Sequence, residues 1–200
     1  MKENELLNKL KNMSKRIMET GKNFHDFAHI MNVYGNVEKL LRHEEGNRLV
    51  LLTAALFHDI QRDVANHGTE GAAYVKKLLA TVSEFPEELV ESVIQVIDSH
   101  DKKEQQTREQ ILFYDADKMD AFSELGIVRS FMMYAKEEKT IKESCEDYTN
   151  LVDHFFARLR TKTAKKIIEK KYTKTKQFAL SLIENYESLG LSKDTKENKK

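Results

Sequence analysis

Two short segments bring together side chains that could bind a metal ion. The first, TAALFHDIQRD, ends an apolar run with the adjacent residues His58 and Asp59, and the second, FYDADKMDAF, spaces Asp115, Asp117 and Asp120 along an otherwise apolar segment. Burying such groups without partners costs several kcal/mol each, a cost that a bound divalent cation removes. Imidazole and carboxylate ligands suit Mn, Fe, Co, Ni or Zn. A thiolate site is excluded because the chain has one cysteine.

The seven histidines of the chain differ in their setting. His29 lies beside the apolar stripe of a predicted helix, whereas His58 and His100 stand at the ends of two others. His25 precedes a predicted helix start, where it is suited either to brace the turn or to contact a substrate. His58 and His100, at the predicted helix ends, are therefore further candidates for a metal-binding site.

The spacing of apolar residues predicts one compact all-α domain of about seven helices. One proline and seven glycines in 200 residues suit long helices joined by short turns. Alternating apolar and polar runs, which would indicate strands, are nearly absent. The most apolar helix should form the centre of the core. The predicted helices cover about 4–20, 26–46, 47–62 (the most apolar), 69–82, 86–100, 107–135 and 140–188, the last as one or two helices.

Composition and charge argue against several classes of protein. Acidic and basic residues number 33 each, so no overall field favours nucleic acid or a membrane surface. No apolar stretch approaches the roughly 20 residues that span a bilayer, and the charged start MKENELLNKLKNM lacks the apolar region of a signal peptide. The single cysteine, Cys145, fits a reducing compartment. We therefore expect a soluble cytoplasmic protein, with its oligomeric state left open.

The order of these motifs resembles the HD-domain superfamily of metal-dependent phosphohydrolases, whose pattern is H…HD…D on a helical scaffold. Here the pattern reads His29, then His58-Asp59, then an aspartate in DADKMD. HDFAHIMNVYGNV resembles the opening helix of the small stand-alone bacterial members, which typically read H-D-x-x-H-x-x-R-V. DADKMDAFSELGIVRSF is similar to their D-A-D-R-L-D-A…G-I-x-R-x-F segment. One departure is Asn32, where that family usually has Arg. The resemblance covers about 22–135.

The resemblance implies that this stretch is an HD metal-binding core. The rest of the chain is predicted to form an N-terminal helix packed on the domain (1–21), C-terminal helices of the same domain (136–190) and a flexible tail (191–200).

The resemblance also implies a ligand set of His29, His58, Asp59 and Asp117. The family comparison selects Asp117 over Asp115, since helical geometry alone does not decide between them. The ion would be divalent, with Mn, Mg, Co, Ni, Fe and Zn all open.

A second metal ion is left open by the sequence. His67 and His100 lie between the HD pair and the final aspartate, an interval in which two-metal members of the superfamily bind a second ion. The segment HGTEGA resembles the context of one such ligand. The alternative is that both histidines line the pocket as hydrogen-bonding or substrate-contacting groups.

The implied chemistry is hydrolysis of a phosphate ester or anhydride, with a nucleotide as the implied small-molecule substrate. Asp63 is the predicted general acid/base, because an i, i+4 spacing from Asp59 points both side chains to one side of a helix. Arg62, Lys118 and Arg129 are the predicted phosphate-binding cations; each could equally form a surface ion pair.

Two other functions stay open on the sequence. The same ligand layout supports di-iron oxygenases in the wider superfamily, and a six-ligand set that includes His67 and His100 would fit one. The chain could also be a non-catalytic helical module in which the metal is structural or absent.

Overall fold

The computed structural model describes residues 2–18 and 26–190 of the chain, and in these two ranges it contains nine α-helices, one 3-10 helix and no strand. The predicted all-α class is confirmed. The helices are α1 (Glu3–Met18), α2 (Phe27–Leu40), α3 (Arg48–Phe57), α4 (His67–Leu79), α5 (Glu87–Ser99), α6 (Arg108–Lys118), the 3-10 helix (Met119–Phe122), α7 (Glu124–Lys136), α8 (Ile141–Arg158) and α9 (Lys162–Ser188).

Helix α3 forms the centre of the core, as its composition predicts. Every residue from Leu49 to Phe57 is buried, and an apolar surface all round a helix requires neighbours on all sides. Helices α1, α2, α5 and α6 pack around it. The Asn47 side chain begins α3 by accepting a hydrogen bond from the Val50 N–H at 3.1 Å.

Two predicted helix starts are confirmed by their hydrogen bonds. Asp26 caps α2 by accepting from the N–H groups of its first turn. Thr107 and Gln110 form the reciprocal capping box that their spacing predicts, and α6 begins there. These caps fix where the helices that carry His29 and Asp117 enter the domain.

The predicted helix over 107–135 is interrupted in the structure, which is why more helices form than expected. Helix α6 ends at Lys118, a 3-10 helix follows, and Ser123 caps α7 by accepting from the Gly126 N–H at 2.9 Å. A Cβ on Gly126 would clash with the carbonyl oxygen of Asp120, so only glycine permits this close approach. The interruption turns the Asp120 side chain towards α2.

The C-terminal part of the described chain is an antiparallel pair, α8 and α9, that packs on the 3-10 helix and α7. The Phe156 and Tyr172 rings stack across this pair with centroids 4.2 Å apart. Within the described ranges, no helix is both long enough and apolar enough to cross a membrane. The predicted end of the first helix near Gly21, the two roles considered for His25 and the predicted flexible tail over 191–200 lie outside the described residues.

Candidate metal centre

His29 is presented by the first turn of α2. The Asp26 carboxylate accepts hydrogen bonds from the backbone N–H groups of Ala28 at 3.0 Å and of His29 at 3.1 Å. The His29 side chain is buried and reaches the end of α3, where it contacts His58. The cap therefore sets the position of the ring.

His58 and Asp59 follow α3 directly and are both buried. Helix α3 ends at Phe57, and the following residues to position 66 form a series of turns, so the predicted continuation of this helix to 62 is wrong. Gly71 of α4 lies against the His58 carbonyl oxygen, where a Cβ would come within 3.3 Å. The turn segment is thus held closely between α3 and α4.

The four predicted ligands, His29, His58, Asp59 and Asp117, lie together and are called the first group below. His29 Nε2 lies 3.0 Å from His58 Nε2 and 3.4 Å from Asp59 Oδ2. Asp117 Oδ1 lies 3.5 Å from His29 Nε2 and 3.7 Å from His58 Nε2. Helix α2, the turn after α3 and helix α6 each supply part of this group, so its members come from three separate parts of the fold.

The hydrogen bonds of the two rings leave their Nε2 atoms facing one another. His29 Nδ1 donates to Asp120 Oδ2 at 2.8 Å, and His58 Nδ1 donates to the Ala55 carbonyl oxygen at 3.2 Å. In neutral rings both Nε2 atoms then carry lone pairs, and these repel at 3.0 Å unless a proton or a metal cation lies near them. The ligand atoms of His29, His58 and Asp59 all lie within 4.8 Å of one another and could hold a divalent cation, and Asp117 Oδ1 lies beside both rings.

The pKa values of the first group show how the charges balance. Burial lowers the pKa of His29, but its hydrogen bonds to Asp120 and Asp59 outweigh this effect and raise the pKa to about 9. Burial lowers the pKa of His58 to about 4, so this ring is neutral at pH 7. Burial works against ionisation of Asp59 and Asp117, yet the neighbouring His58 and Lys118 respectively hold both pKa values well below their usual range. Two carboxylates and one protonated histidine are therefore the resting charges.

We expect metal affinity to rise with pH up to about pH 9, because the His29 proton must leave Nε2 before that atom binds a cation. Below this pH each bound ion should release about one proton, which corresponds to roughly a tenfold change in affinity per pH unit. Isothermal titration calorimetry in buffers of different ionisation enthalpy measures the release. The exposed-histidine variant His154→Gln should show the same proton release. A metal affinity independent of pH between roughly 6 and 8, about one to three pH units below the transition, would contradict the assignment.

Asp120 is a residue of this site that the predicted ligand set omits. Its carboxylate accepts hydrogen bonds from His29 Nδ1 at 2.8 Å, Asn32 Nδ2 at 2.9 Å, Ser123 Oγ at 3.1 Å and an Arg129 guanidinium N–H. A carboxylate that accepts the Nδ1–H of a histidine fixes the tautomer and orientation of a metal-binding ring. Asn32, the departure from the family pattern, thus braces the carboxylate that positions His29. The only sequence signal for this role was a third carboxylate one turn after the predicted ligand.

A second set of ligand atoms, called the second group below, surrounds the other oxygen of Asp59. Asp59 Oδ1 lies 3.5 Å from His100 Nε2 and 4.0 Å from His67 Nε2. Among the described side chains, Asp59 Oδ1 and His100 Nε2 are buried polar atoms without a hydrogen-bond partner. His67 is placed here by Asn66, whose left-handed backbone (φ 56°) begins α4 two residues earlier than predicted. Asp59 therefore offers one oxygen to each group.

The structure gives Asp63 no geometric support as a general acid/base. Its predicted role rested on the side chains of Asp59 and Asp63 sharing one face of a helix, and α3 ends at Phe57 before either residue. Asp63 is exposed in the turn and does not line the cavity beside the first group. The role of Asp63 as general acid/base therefore stays a prediction. The helical spacing from which it was predicted is absent from the structure.

A cavity of about 300 Å³ opens beside the first group. His29, Asp59 and Asp117 lie in its wall with all three predicted phosphate-binding cations, Arg62, Lys118 and Arg129. The remainder of the lining comes from the 3-10 helix, α7 and α8: Asp120, Ala121, Gly126, Ser130, Met133, Tyr134, Leu151 and Phe155. The site thus combines buried ligands, positive charge and an apolar wall.

The cations in this cavity are not equivalent. Lys118 Nζ donates to Asp117 Oδ2 at 2.6 Å and lies 5.5 Å from the centroids of both the Tyr114 and Phe155 rings. Arg129 is buried against Asp120, so part of its charge is already balanced. Arg62 is about one-third exposed and contacts the second group. All three cations line the cavity, so none of them is only a surface ion pair.

Asp115 contacts a different part of the fold from Asp117, the predicted ligand on the same helix. Its carboxylate accepts hydrogen bonds from the Arg160 N–H at 2.8 Å, the Thr161 N–H at 2.8 Å and the Thr161 hydroxyl at 2.7 Å. It therefore ties α6 to the start of α9. Burial raises the pKa of Asp115, against the lowering effect of these hydrogen bonds.

Comparison with protein families decides how this site is classified. The family model described as the HD domain matches residues 26–121, a range that contains all four residues of the first group. Residues 26–121 of the chain form an HD domain. No curated protein matches the chain.

Solved structures share its fold along nearly the whole chain. The Lin1889 protein from Listeria innocua is 26% identical, with a TM-score of 0.74, and the match covers 91% of this chain and 96% of that protein. YpgQ from Bacillus subtilis, crystallised with ADP, is 21% identical with a TM-score of 0.74, covering 92% and 97% of the two chains. An HD-superfamily hydrolase from Bacillus thuringiensis is 23% identical with a TM-score of 0.68, covering 92% and 98%. The HD-type helical fold thus includes α8 and α9 beyond the family match.

Proposed function

We propose that this HD-domain protein is a metal-dependent phosphohydrolase that cleaves a phosphate ester or anhydride of a nucleotide. The observation that carries the proposal is the cavity in which the metal-binding first group adjoins Arg62, Lys118 and Arg129. Buried imidazole and carboxylate ligands suit a divalent cation, and cations beside them suit the oxygens of a phosphate. The name of the B. thuringiensis relative, an HD-superfamily hydrolase, supports the reaction class.

The proposed ligands of the cation are His29, His58, Asp59 and Asp117. These residues would hold a divalent cation, which would supply Lewis-acid chemistry for transfer of a phosphoryl group to water. By accepting the Nδ1–H, Asp120 favours the His29 tautomer whose Nε2 lone pair would bind the cation once the ring is neutral. Lys118, held against Asp117, is positioned to balance negative charge on the substrate.

A nucleotide is the proposed substrate because the cavity has two kinds of lining. Its cations suit phosphate oxygens, whereas Met133, Leu151 and Phe155 supply apolar and aromatic surface that suits an organic ring. The complex of B. subtilis YpgQ with ADP supports the same class of ligand.

The test of this function is a panel of nucleoside mono-, di- and triphosphates and cyclic nucleotides, each incubated with Mn, Mg, Co or Ni. We expect release of phosphate or pyrophosphate with at least one metal and none after chelation. Release without metal, or none from any member of the panel, would contradict the proposal.

A di-iron oxygenase is the second candidate function, and the specific observation in its favour is the second group around Asp59 Oδ1. The two groups together offer enough nitrogen and oxygen ligands for two ions. Iron content of protein purified without added metal, measured together with oxygen consumption, separates the two functions. A non-catalytic module would bind metal without turning over any member of the panel.

Proton transfer gives a separate prediction for Asp63. If it acts as the general acid/base, Asp63→Asn should keep the metal content and lower kcat by roughly 10²–10⁴-fold. Because Asp63 is exposed and does not line the cavity, that effect would require the Asp63 side chain to reach the substrate from outside the cavity wall. The matched variant Glu70→Gln changes an exposed carboxylate in the first turn of α4 and should keep kcat. An unchanged kcat in Asp63→Asn would remove Asp63 from the mechanism.

A further inference from the structure

We propose that Arg62 competes with a metal ion for the second group and so limits this centre to one tightly bound cation. The Arg62 guanidinium (NH1) lies 2.7 Å from His67 Nε2 and 3.7 Å from Asp59 Oδ1. These are two of the three ligand atoms of the second group; the third belongs to His100. The inference rests on the proposed metal binding of the first group, and it does not depend on which substrate is cleaved.

A hydrogen bond from Arg62 and coordination of a metal ion exclude one another at His67. The ring nitrogen Nε2 has a single lone pair, and here that lone pair accepts the guanidinium N–H. Arginine stays protonated at all ordinary pH values, so it cannot give up its charge to make room for an ion. A second cation can therefore bind His67 only after the Arg62 side chain has moved away.

Charge gives the same result at Asp59. Asp59 Oδ1 has no hydrogen-bond partner and is buried, so it requires a positive charge nearby. Arg62 at 3.7 Å supplies one such charge without bonding directly to the oxygen. Adding a divalent ion beside the same oxygen would bring two cations together in a poorly solvated place. In this structure the Arg62 guanidinium supplies positive charge at the second group, in the place where a second metal ion would bind.

His100 is fixed in position, whereas Arg62 is not. His100 Nδ1 donates to the Ile97 carbonyl oxygen at 2.6 Å, which holds its Nε2 towards Asp59. Arg62 instead lies in the turn after α3 with its side chain 31% exposed, and it also lines the cavity beside the first group. A long side chain at the surface can leave His67 without unfolding a helix. Arg62 is therefore the element whose removal should open the second group.

The experiment measures bound manganese by equilibrium dialysis of the full chain at increasing free Mn²⁺. Wild type should bind one ion tightly and a second only weakly. Arg62→Ala and Arg62→Gln should tighten the second ion by about tenfold or more, the expected effect of removing one competing charge-assisted hydrogen bond. The control Arg16→Ala, which removes an exposed arginine of α1, should bind like wild type. The double variant Arg62→Ala/His67→Ala should return to one tight ion, which assigns the gain to His67.

Circular dichroism establishes that each variant is folded before its stoichiometry is read. One tight ion in wild type and in both Arg62 variants would overturn this inference alone. Two ions bound with equal affinity by wild type would also overturn it and would leave the proposed function standing. No bound manganese in wild type would overturn this inference, and no binding of Mg, Co or Ni in the same dialysis would overturn the proposed function as well.

Discussion

Asp59→Ala should lose the bound metal and lower the hydrolytic rate by more than about 10³-fold while the protein stays folded. Asp59 is the residue that both groups share, with Oδ2 3.4 Å from His29 Nε2 and Oδ1 3.5 Å from His100 Nε2. Removing it takes away the one negative charge that the two groups share, and one ligand oxygen from each group. The apolar residues that make α3 the centre of the core end at Phe57 and are untouched.

Metal content, the rate of phosphate release and the far-ultraviolet circular dichroism of this variant should be measured together. Glu91→Ala, which removes an exposed carboxylate of α5, is the matched control and should behave like wild type in all three. A full metal complement in Asp59→Ala would contradict its assignment as a ligand. Loss of the helical signal would assign Asp59 to folding instead.

The fold could be predicted from the sequence where local signals and burial agree. The apolar run that becomes α3 has no polar face, so it had to be central. The Asp26 cap and the capping box of Thr107 with Gln110 depend on residues at most three positions apart, which makes them readable without tertiary information.

The break between α6 and α7 could not be predicted, because it depends on packing between distant parts of the chain. The stretch from 107 to 135 has no proline, and its apolar spacing is continuous enough to favour one helix. The Ser123 cap and the contact of Gly126 with the Asp120 carbonyl become favourable only when the Asp120 carboxylate meets α2. The end of α3 is a similar case: the turn that carries Asp63 is held by α4, which the sequence pattern does not connect to it.

Part of the candidate site could likewise be predicted from the sequence, and part of it could not. The resemblance to HD-domain proteins selected four residues that the structure brings within contact distance, although their binding of metal stays a prediction. Periodicity could not distinguish the three carboxylates of DADKMD, because each lies on a mostly apolar segment. Their different contacts, with α9 for Asp115, with the two histidines for Asp117 and with α2 and α7 for Asp120, appear only in the folded chain.

Asp115→Ala and Asp120→Ala should therefore fail in different ways. Asp115→Ala leaves the part-buried Arg160 N–H and the buried Thr161 N–H without their acceptor, and it should lower the free energy of unfolding by about 2–4 kcal/mol. Since Asp115 contacts neither histidine of the first group, metal affinity of the folded variant should stay within about threefold of wild type. Urea unfolding followed by calorimetric metal titration below the transition measures both quantities.

Asp120→Ala should instead weaken metal binding by about 10–100-fold, the usual effect of removing the carboxylate that orients a metal-binding histidine. It also leaves Arg129 buried without its partner, so some stability should be lost as well. Asp120→Asn separates the two effects: the amide oxygen can still accept the His29 Nδ1–H, so metal affinity should fall less than in Asp120→Ala. Equal metal affinities for Asp115→Ala and Asp120→Ala would contradict this division, because the first carboxylate holds α9 and only the second holds His29.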